Sequence, residues 1–202
     1  MTKKEIESSY NDYLGKVTAE KLNERGFDAY YFPTSEEAVA KALSFIEPSS
    51  TVGWGGSASL EESGLMQKIR SGAFTLIDRD TAANPEERRE IMIKCLSADF
   101  FLTSFNAVSE DGVVVNIDGG GNRTSAIGFG PKNVIAIVGI NKIAHTAEDA
   151  LSRAKTTAAR KNCIRFGVSP AESESLCNII QILRSGGKGR IKVLIVGEEL
   201  GF

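Results

Sequence analysis

A chain of 202 residues, 42% hydrophobic and 25% charged, is long enough for one domain with a sizeable core, and no composition shift, repeat or low-complexity segment marks a second. A formal net charge of −2 argues against a dedicated nucleic-acid binder, and no apolar run approaches the length of a membrane span. The N-terminus, MTKKEIESSYNDYLG, lacks the apolar core of a signal peptide, so a cytoplasmic location is expected.

Residues 3 to about 24 read as an amphipathic helix with Ile6, Tyr10, Tyr13, Leu14, Val17 and Leu22 available for an inner stripe, ended by Gly26 and packed on the domain. A strand over 27–32 follows, then a helix capped by Thr34 or Ser35 and closed by Pro48. TVGW (51–54) reads as a short strand, GGS as a tight loop and ASLEESGLMQKIRSG as a helix interrupted near Gly64. A strand over 73–78, a helix over 85–97 with Pro85 at its start, and a strand over 99–104 continue the pattern.

Ala107–Ser109 and 113–117 flank Glu110-Asp111-Gly112, a hairpin signal, because Asp-Gly suits the positive φ angles of a tight turn. NVIAIVGI (133–140) is the near-continuous apolar run of a strand buried on both faces, and a helix follows over about 146–160. Residues 161–190 read poorly, with a candidate helix at 172–183, and IKVLIVG (191–197) is a last strand. Strands and helices alternate, so the expected class is α/β: a mainly parallel, Rossmann-like sheet with helices on both faces and a β-hairpin near 107–117.

Ligands of such sheets collect at the carboxyl ends of the strands, where both glycine-rich loops fall, so the two could face one cleft. The first, Gly53-Trp54-Gly55-Gly56-Ser57-Ala58, fits G-x-G-x-x-A with Asp78 about twenty residues later, the outline of a dinucleotide fingerprint and equally of a plain steric turn. A Walker A loop is excluded because no Gly-Lys-Ser/Thr follows the glycines. Backbone N–H groups at the helix start, capped by Ser57 or Ser59, suit an anion, and Ser59 and Glu62 have the spacing of a capping box.

In the second loop Val113, Val115 and Ile117 point one way and Val114, Asn116 and Asp118 the other, so one face is expected to be core and the other to turn polar toward its end. Gly119–Gly121 allow a sharp bend, Asn122 reads as the cap, and Arg123 opens a helix that Gly128 ends. Asn106, Asn116, Asp118, Asn122 and Arg123 could then converge on a phosphate or carboxylate, or the asparagines could simply satisfy backbone groups. An arginine at a helix start opposes the dipole and asks for an anionic partner.

The three cysteines, Cys95, Cys163 and Cys177, form no CxxC pair, and an odd count fits reduced thiols better than a disulfide framework. His145 is the only histidine, which leaves a Ser-His-Asp hydrolase only if it is the base; in IAHTAED it reads as a helix-entry residue.

The segments VGWGGSASLEESG, LTSFNAVSEDGVVVNIDGGGNRTSAIGFGPKNVIAIVGINKI and RIKVLIVGEELGF together resemble the lactate-utilisation (LUD) domain family over nearly the whole chain, implying a single LUD-like domain over 1–202. The resemblance implies a fold like that of ribose-5-phosphate isomerase, glucosamine-6-phosphate deaminase and the class I CoA transferases, and a role in bacterial L-lactate use, where some members act beside iron–sulfur subunits. Relatives often carry a cysteine-rich stretch near the C-terminus; NCIRFGVSPAESESLCN keeps only Cys163 and Cys177, too few for a four-ligand site, so no metal, iron–sulfur cluster or other cofactor is expected. The matching motif residues are Gly55, Gly56, Ser57, Asn106, Asn116, Asp118, Asn122, Arg123 and the Asn141-Lys142 pair.

The expected function is binding of an anionic small molecule (a sugar phosphate, carboxylate or CoA ester) by the loop amides, Arg123 and Lys142, with Asp118 the one carboxylate nominated for proton transfer. Two alternatives stand beside it: a non-catalytic subunit of an iron–sulfur lactate-oxidising complex, and an NAD-dependent oxidoreductase resting on the first loop and Asp78. Candidate partners are the anionic ligand, the iron–sulfur subunits and a second copy of the chain, with neither nucleic acid nor a membrane span.

Overall fold

A computed structural model describes residues 1–202. Helix α1 (Lys3–Glu24) opens with a capping box in which Thr2 Oγ1 accepts from Glu5 N and the Glu5 carboxylate accepts from Thr2 N. Its inner face is Gly15, Thr18, Ala19 and Leu22, with Leu14 half-buried, whereas Ile6, Tyr10 and Tyr13 of the expected stripe are exposed. The reason is close approach: a Cβ on Gly15 would fall 2.2 Å from the Tyr31 ring, so small residues, not large ones, face the sheet.

The chain continues through β1 (Asp28–Phe32), α2 (Ser35–Ser44), β2 (Thr51–Trp54), α3 (Ala58–Glu62), α4 (Leu65–Ser71), β3 (Thr75–Ile77), α5 (Pro85–Lys94) and β4 (Phe100–Thr103). The helix expected to break near Gly64 does so there, between α3 and α4. The hairpin follows as β5 (Ala107–Ser109) and β6 (Val114–Asp118), paired antiparallel, then α6 (Asn122–Gly128), β7 (Asn133–Gly139) and β8 (Ile143–Ala144). Helix α7 (Ala147–Arg153) passes through a π turn at Ala154–Ala158 into α8 (Ala159–Arg165), so the helix expected to stop near Arg160 runs a turn further.

The helix expected over 172–183 is a correction: a short α9 (Ser173–Leu176) gives way to strand β9 (Ile179–Leu183). Ile179-Ile180-Gln181-Ile182-Leu183 is rich in β-branched residues, and antiparallel pairing along the whole of β6 settles its state. β10 (Ile191–Val196) closes the fold.

Six strands form one all-parallel sheet in the order β1-β10-β7-β4-β2-β3. Val134, Ala136 and Val138 of β7 face a core shared with α1, α6 and the hairpin, while Ile135 and Ile137 face the opposite core under α2, α3 and α4. Every buried Val, Leu or Ile in these layers contributes about 1.5–3 kcal/mol. The hairpin belongs to a second, mixed sheet ordered β8-β5-β6-β9. Val108 and Val114 point into the first core, and Ala107, Val115 and Ile117 into a third cluster with Ala150 and Ala154. The other face of β6 starts in the core with Val114 and turns polar toward its end at Asn116 and Asp118, as expected. No helix is long and apolar enough to cross a membrane.

Candidate functional site

Strand order reverses at β2: the chain steps out to β3 and then returns to β4 on the other side. The loops after β2 and β4 diverge there and leave a crevice at the carboxyl ends of the strands, the usual ligand position in an open parallel sheet. The crevice measures about 500 Å³, and residues of both glycine loops line it. The first loop meets the second through Arg123 and the turn after β3 through Arg79. A Cβ on Gly55 would approach Arg123 Cγ and Cδ to 3.2 Å, and one on Gly56 would approach Arg79 Nη2 to 2.5 Å. Ser57 is the cap of α3, its Oγ accepting from Leu60 N at 3.4 Å.

The second loop differs from its expected form. Gly121, with a left-handed φ of 79°, is the N-cap of α6, and Asn122 is its first residue. The missing cap acceptor comes from Asp118, whose Oδ2 accepts from Arg123 N at 3.0 Å and Thr124 N at 3.1 Å. Asp118 lines the cleft, but its carboxylate holds the helix start. Arg123 lies along the floor, donating through Nη2 to Asn106 Oδ1 at 2.8 Å and to the Ile117 carbonyl. Burial lowers the Arg123 pKa, with Asp118 opposing, so the dipole conflict read from sequence is relieved from within the protein.

Asn106 also accepts from Ile117 N at 2.9 Å. Its amide nitrogen carries none of these bonds, and the residue lines the cleft beside Asn122. Asn116 sits apart: it is fully buried, outside the cleft lining, with Nδ2 donating to Gln181 Oε1 at 3.3 Å and Oδ1 unpartnered. Gln181 in turn donates to Thr124 O, so Asn116 braces α6 on β9.

Lys142, named from sequence as a group for the anion, is buried at the cleft wall. It is 3% exposed, and Nζ donates to Ser59 Oγ at 2.6 Å and Ser104 Oγ at 3.0 Å. Desolvation lowers its pKa to about 7, with Arg153 and Arg123 acting in the same direction and Glu62 against them. Ser59 is thereby corrected as well: it is no cap but a buried partner of Lys142 that also donates to Leu200 O. Asn141 anchors the chain's last turn, accepting from Leu200 N at 3.1 Å and donating to Gly201 O at 3.3 Å. Arg153 ties the Asn106 and Asn141 carbonyls together behind the site.

Three more arginines reach the cleft, none of them anticipated: Arg79 after β3, Arg88 on α5 and Arg165 at the end of α8. Arg79 is pushed down in pKa by burial first and Arg88 second, and its Nε is buried without a hydrogen bond. Arg88 donates to Arg79 O and Asp80 Oδ1, while Arg165 lies over the Phe166 and Phe202 rings. A cation directly after a parallel strand is a readable signal for Arg79; no local pattern marks Arg88 or Arg165.

Asp78 accepts from Asp80 N to cap a 3₁₀ turn and does not line the cleft. His145 pairs at the surface with Glu110 at 3.2 Å, far from a role as base for a cleft serine. All three cysteines are free thiols, and no group of three His, Cys, Asp or Glu side chains comes together.

An all-parallel central sheet with helices on both faces and a crevice at its switch point defines a Rossmann-like α/β protein. The LUD domain family matches residues 15–196, and the chain belongs to that family; it is a lactate-utilisation-related protein. Among solved structures it is similar to a DUF162 family protein from Deinococcus radiodurans, with a TM-score of 0.55 and 13% identity over 92% of this chain and 98% of that one, a likeness of fold. No curated protein matches the chain.

Proposed function

We propose that the cleft binds a small organic anion, a carboxylate, sugar phosphate or CoA ester of lactate or related organic-acid metabolism. One observation carries this reading: Arg79, Arg88, Arg123 and Arg165 converge on a single cleft whose only lining carboxylate side chain, Asp118, is committed to a helix cap. Asp80, paired with Arg79 and Arg88, offsets part of that charge, and Arg165 has no carboxylate partner. Arginine offers a planar fork that matches carboxylate and phosphoryl oxygens, and the glycines of both loops keep the walls low.

A thermal-shift titration with pyrophosphate, inorganic phosphate and L-lactate tests it. At least one of them should raise the melting temperature saturably, by the equivalent of about 2.7 kcal/mol at a hundredfold excess over Kd. Arg165→Ala should weaken that response without lowering the ligand-free melting temperature. Unmoved melting with all three anions would remove the reading.

A second reading, a subunit seated on an iron–sulfur partner, is supported by β9. It is an edge strand of the second sheet and carries exposed Ile179, Ile180 and Ile182. Co-purification of such a partner from native extract, lost on Ile180→Glu, is the outcome that reading requires.

A further inference from the structure

Three buried polar side chains on the wall of the cleft come from different elements: Ser59 from α3, Ser104 from the end of β4, and Lys142 from the turn after β7. Their polar atoms bond only to one another and to main-chain carbonyls. We propose that Ser104 and Lys142 are a serine–lysine pair for acyl transfer, with Ser104 Oγ as nucleophile and Lys142 Nζ as base, acting on an ester or thioester whose anionic group the cleft arginines hold. The choice of substrate class rests on the anion reading above.

Geometry selects the pair. Nζ lies 3.0 Å from Ser104 Oγ, whose only other bond is a long 3.4 Å contact to Phe105 O. Ser59 is the poorer nucleophile because Leu200 O engages its hydroxyl at 3.2 Å and Gly201 lies against it, a Cβ there falling 2.5 Å from Oγ. Its part is to position Nζ, at 2.6 Å. Asn106, two residues beyond the nucleophile, keeps a free amide donor in the same cleft for the carbonyl oxygen that becomes negative.

Charge supports the assignment. No carboxylate forms an ion pair with Lys142. Burial first, then Arg153 on α7 and Arg123 on α6, lowers the Nζ pKa to about 7, with Glu62 on α3 opposing. A free amine beside a hydroxyl is the form a general base needs. Cys177 also lines the cleft, but burial raises its thiol pKa and keeps it protonated.

The step balances with water alone. Ser104 Oγ gives its proton to Nζ while bonding to the acyl carbon; the C–O or C–S bond breaks, and the leaving alkoxide or thiolate takes that proton. Water then attacks the acyl-serine, passing a proton through Nζ to Ser104 Oγ and releasing the acid.

The full chain treated with a fluorophosphonate should give one adduct, mapped by mass spectrometry to Ser104, at a rate that rises with pH through about 7. Ser104→Ala should abolish it, and Lys142→Met with a retained cooperative melt should slow it by about 10²-fold or more. Ser59→Ala should keep the adduct and move the pH midpoint downward, because an acceptor of the charged amine is gone. A folded protein with no adduct at Ser104, an adduct on Ser59 instead, or a rate indifferent to Lys142→Met overturns the proposal. The anion response of Ser104→Ala separates the two readings: a melting shift with pyrophosphate that survives without labelling leaves anion binding standing and removes acyl transfer alone.

Discussion

The two glycine loops carry the same sequence signal and use it for different physics. In the first, Gly55 and Gly56 make room for the side chains of Arg123 and Arg79, and the helix behind is capped locally by Ser57. In the second, glycine answers to the backbone itself. Gly121 holds a left-handed φ, a Cβ on Gly119 would sit 2.4 Å from the Leu176 carbonyl oxygen, and the cap acceptor is Asp118 on the preceding strand. A glycine-rich turn after a strand thus says that something comes close; whether it is an arginine side chain of the cleft or a fixed main chain decides if the loop serves the ligand or the fold.

Substitutions that fill each loop would separate the two roles most sharply. Gly119→Ala should cost about 1–3 kcal/mol, because a main-chain carbonyl cannot swing aside, and each kcal/mol lowers the melting temperature by about 2–4 °C in a chain of this size. Asp118→Ala removes the acceptor of two helix-start N–H groups and should cost about 1 kcal/mol, read as a lower denaturant midpoint at unchanged slope. Unchanged stability there would free Asp118 for the proton-transfer role read from sequence.

Ser57→Ala, which loses a single 3.4 Å cap bond, should cost only about 0.5 kcal/mol by the same measurement. The smallest change in stability is expected of Gly56→Ala, within about 0.5 kcal/mol, since its new methyl meets the far end of Arg79. That variant should nevertheless blunt the pyrophosphate response by displacing the arginine. A stability loss as large as that of Gly119→Ala would erase the distinction between the loops.

Much of the fold was legible because hydrophobic period and turn chemistry agree locally. Thr34 caps where it is expected to, the helix breaks at Gly64, and Asp111-Gly112 turns the hairpin. The misreadings share a cause. β9 was hidden because a short apolar run fits helix or strand alike until β6 pairs with it. Asn116 resembled a ligand because alternation places it beside Asp118, yet it is fully buried and its amide is spent on Gln181, its cross-strand neighbour on β9. Ser59 sits at a capping-box spacing that is satisfied elsewhere, and its lysine partner lies 83 residues away.

By itself the sequence determined the α/β class, the element order with its hairpin, and the position of both glycine loops after strands, since these follow from periodicity and backbone freedom within a few residues. It also carried the family likeness. Only the tertiary structure decided which charges share the cleft, that Asp118 serves α6, and that Lys142 is buried between two serines with a pKa near 7. Those properties depend on desolvation and on partners brought together by the parallel strand order, and neither is written in any local stretch of chain.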